Sequence, residues 1–328
     1  MKTREKNAVI VAVVLLAAGA VIAALAAALI GFDFSKLGTT VYEPVATDVS
    51  GNFDGISVEC ADADVRILPS ENGKCTVICP ESDKITHSVT VEGGTITVIR
   101  HDNRKWYEHI GFFWDGGESN DIYVYLPGSE YETLQISSVS GDISVHADLS
   151  FGKTELTSTS GDIDCKAGVT GDLNVKTVSG DINVVSQNVS GGTLNAASTS
   201  GDVAVSSAKL SGDLTVKTVS GDVKLLNVDC SAALVNTTSG NIGLTQVTAS
   251  GGMKLSTVSG DVRLDKSDAD TLDIKTTSGN VTGTLLTGKK FSAESTSGNI
   301  RVPDSDSSTG GTCRIKTTSG NVKIEISE

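Results

Sequence analysis

The stretch LNVKTVSGDINV, Leu173 to Val184, returns as LTVKTVSGDVKL at Leu214 to Leu225, 41 residues later. It recurs as LDIKTTSGNVTG from Leu272 and CRIKTTSGNVKI from Cys313. Its centre generalises to [VT]-S-G-[DN], with glycines at 141, 161, 180, 201, 221, 240, 260, 279, 298 and 320. Successive spacings are 20, 19, 21, 20, 19, 20, 19, 19 and 22 residues, and a fixed period in this range means stacked units. A weaker echo falls near the half-period, in TGD at Thr170, SGG at Ser190, SGD at Ser211, SGG at Ser250 and TGK at Thr287. Each unit therefore holds two short strands and two turns.

Apolar residues alternate on both sides of the phrase. Leu173 and Val175, and Leu214 and Val216, precede it; Ile182 and Val184, and Val223 and Leu225, follow it. Period-two patterning with one apolar face is that of a half-buried strand. The period is that of a leucine-rich repeat without its helical half, and the Trp-Asp signature of a propeller is missing. Stacked coils close their apolar faces into one core, so the expected fold is all-β, a single-stranded β-helix or β-solenoid of about 19–21 residues per coil. Residues 173 and 175 share a face, yet 182 and 184 have the opposite parity. The pairs Gly141–Asp142, Gly161–Asp162, Gly180–Asp181, Gly201–Asp202 and Gly221–Asp222 are therefore read as corners, where glycine followed by Asp or Asn supplies a positive-φ or bulged step.

Stacked carboxylates also suggest calcium. The same column continues as Asn241, Asp261, Asn280, Asn299 and Asn321, which keep the turn geometry and drop the charge, so no metal and no cofactor is expected. Cys165, Cys230 and Cys313 fall at core positions of separate coils. Cys75 and Cys79 are too far apart along one strand to bond each other, and a Cys60 bridge to either stays open.

Ala8 to Ile30 carries no charge and no proline, and as a helix it is long enough to cross a bilayer. A cleavable signal peptide is the rival, although its apolar region is usually shorter. Lys2, Arg4 and Lys6 precede the segment, which puts residues 1–7 in the cytoplasm and the chain after Gly31 outside. The expected organisation is a membrane helix at 8–30, a linker at 31–50, irregular coils at 51–131 and regular coils at 132–328. Removing Lys2, Arg4, Lys6 and Glu5 from 26 basic and 40 acidic residues leaves 23 and 39, a net −16 outside the membrane. That surface repels phosphates and excludes nucleic acid as a partner.

Eight of the fourteen aromatics lie between Trp106 and Tyr131. Trp106, Tyr107, Phe112, Phe113 and Trp114 sit in one long excursion, RHDNRKWYEHIGFFWDGGESND, which reads either as a partner-binding loop or as a plug over the solenoid. His87, His101, His109 and His146 lie in or beside this third of the chain, at spacings of no ligand motif. From Ala147 onward there is no His, Trp or Tyr, so a polysaccharide lyase or hydrolase, the enzymatic alternative, finds no acid–base pair to nominate. Lys323 and Glu325 on the last strand read as guards against edge pairing, and hence as a sign of a monomer.

The segments FDFSKLG, FDGISVECADADVRILPS, VTVEGGTITV, IYVYLPGSEYETLQISSVSGDISV and the repeated TSG[DN] together resemble the bacterial candidate-adhesin family of envelope β-solenoids, carried as a domain of unknown function and similar to Lia-type accessory proteins of the envelope stress response. The resemblance implies a right-handed β-helix on a cell surface behind one membrane segment. It carries no catalytic residues. The expected role is a non-enzymatic adhesin, scaffold or sensor at the cell membrane, with a cell-wall or host glycan, or an envelope membrane protein, as partner.

Overall fold

The computed structural model describes residues 42–104, 120–185, 192–304 and 311–327, together with Gly19. All named elements are strands, and they join in one continuous sheet that winds into a β-solenoid of about nine turns. Among the described residues no helix is long and apolar enough to cross a membrane, and the helix expected at 8–30 lies outside them but for Gly19.

One coil shows how the repeated phrase works. Leu173, Val175 and Thr177 point inward, Val178 and Ser179 are both exposed, and Gly180, Ile182 and Val184 are inward again. Two successive outward residues change the parity, so the phase flips just before the glycine. Of the ten corner glycines only Gly298 has a positive φ, a nearly extended 158°; the left-handed glycines lie elsewhere, as at Gly73 (φ 69°) and Gly192 (φ 67°). The expected positive-φ corner is thus replaced by a steric one. A Cβ on Gly180 would stand 2.1 Å from the carbonyl oxygen of Gly161, and on Gly221 it would stand 2.0 Å from that of Gly201. Glycine is required because the backbones of successive coils touch there.

The other polar residues of the phrase bind the coil beneath. Thr177 Oγ1 donates to Gly161 O at 3.1 Å, Ser198 Oγ to Gly180 O at 3.0 Å and Thr218 Oγ1 to Gly201 O at 3.0 Å. These hydroxyls are buried and satisfy carbonyls that the corner turns away from the strand ladder. Inside them, Leu173, Ile182, Leu214 and Val223 are at most 1% exposed, and each such side chain contributes roughly 1.5–3 kcal/mol by leaving water.

Coil order departs from chain order at both ends. Gly55–Glu59 pairs in parallel with Thr95–Asp102 on one side and Glu130–Ser137 on the other, while Val65–Pro69 lies between Ile122–Leu126 and Ile143–Val145. The proximal end is then closed by antiparallel strands, Ile85–Glu92 on Thr95–Asp102 and Glu43–Val49 on Cys75–Glu81. At the distal end Thr312–Ser319 inserts between Asp268–Lys275 and Lys290–Ser297. Val322–Ile326 inserts likewise between Val281–Leu285 and Ile300–Arg301. The last strand is interior at Val322 and Lys323, while among the described residues no strand lies beyond Ile324–Ile326, where Glu325 bridges to Lys323 at 2.9 Å. In the coil that takes the end, Phe291 and Ala293 lie beside Cys313 and Ile315 and stay half-buried, while Ser295 lies beside Thr317 as the repeated inward hydroxyl and donates to Gly320 O at 2.9 Å.

All six cysteines are free thiols, so Cys60 forms no bridge. Burial pushes Cys165, Cys230 and Cys313 up to about 12.

Candidate ligand-binding surface

Along the regular coils the repeated polar side chains are consumed by the fold. Asp142, Asp162, Asp181 and Asp202 each offer Oδ1 to the backbone N–H of the next corner residue, at 2.8, 2.7, 2.7 and 2.7 Å. The column continues through Asn241, Asp261 and Asn280, then passes to Asn321 and ends at Asn299, following the spatial order of the coils. It begins at Asp64, whose Oδ1 accepts from Asp142 N at 2.9 Å. This first member was hard to find by motif, because ADAD at 61–64 has Ala63 in the glycine position. Among the described residues no group of three or more His, Cys, Asp or Glu side chains could hold a metal ion.

Chemistry not absorbed by the coils collects on the outer face of the proximal sheet. Ile122–Leu126 lies between Val65–Pro69 and Cys75–Glu81, and period-two alternation turns Tyr123 and Tyr125 outward. The two rings are nearly parallel, 14° apart in plane, with centroids 6.2 Å apart. Register sets Tyr123 between Arg66 and Ile78, and Tyr125 between Leu68 and Thr76. Each of these neighbours is outward and at least partly exposed.

The pair is held in place from one side. Tyr123 Oη donates to Asp121 Oδ2 at 2.8 Å, and Arg66 Nε donates to the same oxygen at 2.9 Å. On the other side, Thr76 Oγ1 donates to Asp48 Oδ1 at 2.9 Å. Beside Tyr125 opens a groove of about 480 Å³ lined by Ser70, Glu71, Asn72, Thr76, Ile78 and Tyr125. Its polar wall is a preformed turn, in which Asn72 Oδ1 accepts from Ser70 Oγ at 2.8 Å and from Lys74 N at 2.9 Å. An apolar ring face opposite fixed hydroxyl, amide and carboxylate groups is the pattern of a small-molecule cleft.

The described residues break at Arg104, just before the aromatic cluster. Arg104 Nη2 meets Asp102 Oδ2 at 2.6 Å, and Arg100 reaches Asp102 at 3.4 Å and Asp62 at 3.2 Å. The Arg104 hydrogen bond holds the Asp102 carboxyl well below the usual carboxylate range. This clamp fixes the point where the excursion starts. Trp106, Tyr107, Phe112, Phe113 and Trp114 themselves lie outside the described residues. Tyr123, Tyr125 and the 70–74 turn were not singled out by sequence; the outward parity of two tyrosines on one strand was the available signal. His101 Nε2 is 3.0 Å from Ser88 Oγ and His146 Nδ1 is 3.6 Å from Asp148, and among the described residues no histidine joins a group that could hold a metal ion.

A profile described as Toastrack DUF4097 matches residues 53–212, 172–234 and 211–328. Among solved structures, the chain is similar to a candidate lipid-binding protein from Parabacteroides distasonis, at 14% identity and a TM-score of 0.46, over 86% of this chain and 97% of that one. It is also similar to a candidate adhesin from Bacteroides fragilis, at 14% identity, a TM-score of 0.38 and the same coverage. A candidate cell adhesion protein from Clostridium sporogenes matches at 11% identity and a TM-score of 0.30, over 87% of this chain and 100% of that one. No protein with a curated description matches. With the three profile matches together spanning nearly all of the solenoid, the chain belongs to the Toastrack DUF4097 family.

Proposed function

We propose that the protein is a non-enzymatic glycan-binding rod of the cell surface, a right-handed solenoid held at the membrane by a helix over residues 8–30. The observation that carries this reading is the Tyr123–Tyr125 platform beside the 480 Å³ groove. Sugar rings offer C–H faces to aromatic rings and hydroxyls to planar polar side chains, and this surface presents both within one strand spacing. The clamps on Tyr123 through Asp121 and Arg66 pre-order the platform, which lowers the entropy lost on binding.

The anchor gives the platform its place. Twelve residues separate Ile30 from Glu43, where the first strand begins, so the proximal coils stay within about 40 Å of the bilayer. That is a position for reading the cell-wall layer nearest the membrane. The further coils, at about 4.8 Å each, carry the distal end roughly 40 Å away.

The test is co-sedimentation of the detergent-solubilised full chain with cell-wall sacculi. Saturable pelleting that falls at least tenfold in affinity in Tyr123→Ala and Tyr125→Ala supports the reading, since stacked aromatics are each worth about 1.4 kcal/mol or more at such sites. Equal pelleting of both variants removes the platform from the function. Release of new reducing ends or unsaturated sugars from the sacculi would favour the lyase or hydrolase alternative.

A further inference from the structure

The hairpin of Ile85–Glu92 on Thr95–Asp102, which caps the proximal end, carries a histidine without a partner. Both ring nitrogens of His87 are shut off from solvent, and neither has a hydrogen-bond partner. Buried polar atoms are normally paired, so an orphaned imidazole on a closing strand calls for a reason. Alternation puts His87 on the same face as Ile85 and Val89, the face that packs on the core.

The surroundings of the ring suit its neutral form. Register sets His87 directly opposite Arg100, whose side chain is 10% exposed. The other ionisable neighbours are His101 on the facing strand, Glu81 at the end of Cys75–Glu81, and Asp62 in the turn before Val65–Pro69. Glu43 lies beside Glu81 on the first strand, and Asp83 and Lys84 stand in the turn that leads into the hairpin. The carboxylates are already engaged. Glu81 Oε1 accepts from the backbone N–H of His87 at 3.0 Å, and Arg100 bridges to Asp62 at 3.2 Å and Asp102 at 3.4 Å. Like charges directly opposite each other destabilise a strand pair, and a buried charge without a partner costs more still.

We propose that His87 is an acid-operated latch on the proximal cap. Taking up a proton makes the ring a second cation opposite Arg100, with two N–H donors and no acceptor, and Ile85–Glu92 then separates from Thr95–Asp102. The opened cap uncovers Ile85 and Val89. It also leaves the outer edge of Thr95–Asp102 unpaired, while the other edge stays on Gly55–Glu59.

The direction with pH follows from the two states of the ring. Burial, opposed by Glu81 and joined by Arg100, holds the His87 pKa below its ordinary 6.5 in the closed cap. In the opened hairpin the ring is solvated and titrates near the ordinary value. The open form therefore binds protons more readily, so closure is fully held above pH 6.5 and is lost as pH falls below it.

The test is hydrogen exchange on the full chain in detergent at about pH 7.5 and about pH 5, corrected for the intrinsic change of exchange rate. Protection of 85–92 should fall about tenfold at the acid pH, while Val203–Lys209 in the regular coils keeps its own. His87→Phe keeps an apolar ring that takes no proton, and should hold 85–92 protected at both values. His101→Phe should still open in acid. The His87 ring protons can also be followed by NMR in the wild-type chain, with a midpoint expected below 6.5. Wild-type exchange and this midpoint decide the matter even where His87→Phe does not fold. Protection unchanged with pH, an equal loss in His87→Phe, or a midpoint at or above 6.5 overturns the proposal.

Discussion

The backbone N–H of Asp181 donates to Oδ1 of Asp162, 2.7 Å away on the neighbouring coil. One oxygen is all the contact needs, which is why Asn241 and Asn280 serve in the same column as Asp222 and Asp261. Asp181→Asn should therefore change stability by less than about 0.5 kcal/mol. Asp181→Ala should cost about 1 kcal/mol, because the exposed Asp202 N–H that it leaves can turn to water. The glycine beside it is different in kind. Gly180→Ala places a methyl 2.1 Å from the Gly161 carbonyl oxygen and should cost about 3 kcal/mol or more. Urea unfolding of the three variants checks the order, and a tolerated Gly180→Ala would sink the steric account of the corner.

Truncation after Asp304 tests the intercalated terminus. Deleting the chain that contains Thr312–Ser319 and Val322–Ile326 removes an interior coil, leaving Lys290–Ser297 and Ile300–Arg301 without the strands they pair with. Hydrogen exchange should then show loss of protection in 290–301 as well as a newly open edge on Asp268–Lys275. If 290–301 kept its protection, that coil would have docked directly onto the 268–285 coil, and the intercalated terminus would not be what holds it.

One ion pair is buried in the coil wall. Lys289 Nζ is 2.7 Å from Asp268 Oδ1 and donates to Ala269 O at 2.7 Å, with the lysine side chain 3% exposed. Asp268 Oδ2 also accepts from Thr287 N at 2.7 Å. Lys289→Met should cost about 3–5 kcal/mol, since it strands a buried carboxylate. Adding Asp268→Asn should recover part of that loss. A double-mutant cycle in denaturant with no coupling between the two sites would contradict this assignment.

The thiols predict a direction with pH. Burial pushes Cys75 up to about 11 and Cys79, Cys165, Cys230 and Cys313 up to about 12, from an ordinary 9.0. A raised value means that the folded chain holds these protons more tightly than the unfolded one. Their contribution is fully present below pH 9 and is lost as pH rises toward 11 and 12. The denaturation midpoint should fall steadily across that window. At pH 8 an alkylating reagent should modify the native chain slowly, with half-exposed Cys60 first, and all six cysteines only in denaturant. Rapid native labelling of Cys165 would show that its coil opens.

Much of the coil was legible in the residues. Alternation at Leu173, Val175, Ile182 and Val184 named the inward face, and the Asp/Asn exchange at the corner named a shared geometry. The cause of the glycine was less legible, because a flip of parity and a close backbone approach both call for the same residue. Tyr123 and Tyr125 were legible only as members of an aromatic-rich third. Their pairing with Arg66, Asp121 and the 70–74 turn needs strands 50 residues apart to be set side by side.

The sequence by itself determined the coil: each repeat meets only its two neighbours, so a local phrase specifies corner, core and ladder every time it occurs. Only the tertiary structure decided which coil stands where. The segments beginning at Cys313 and Leu272 carry nearly the same phrase, and either fits any interior slot, so nothing local orders them. What orders them is the pairing at the end of the stack, where the coil holding Phe291 and Ala293, both half-buried, is left outermost. The interior place falls to the chain terminus, and burial follows position: Cys313, Ile315, Val322 and Ile324 are covered on both sides and leave water, whereas Ile300 at the end stays 43% exposed.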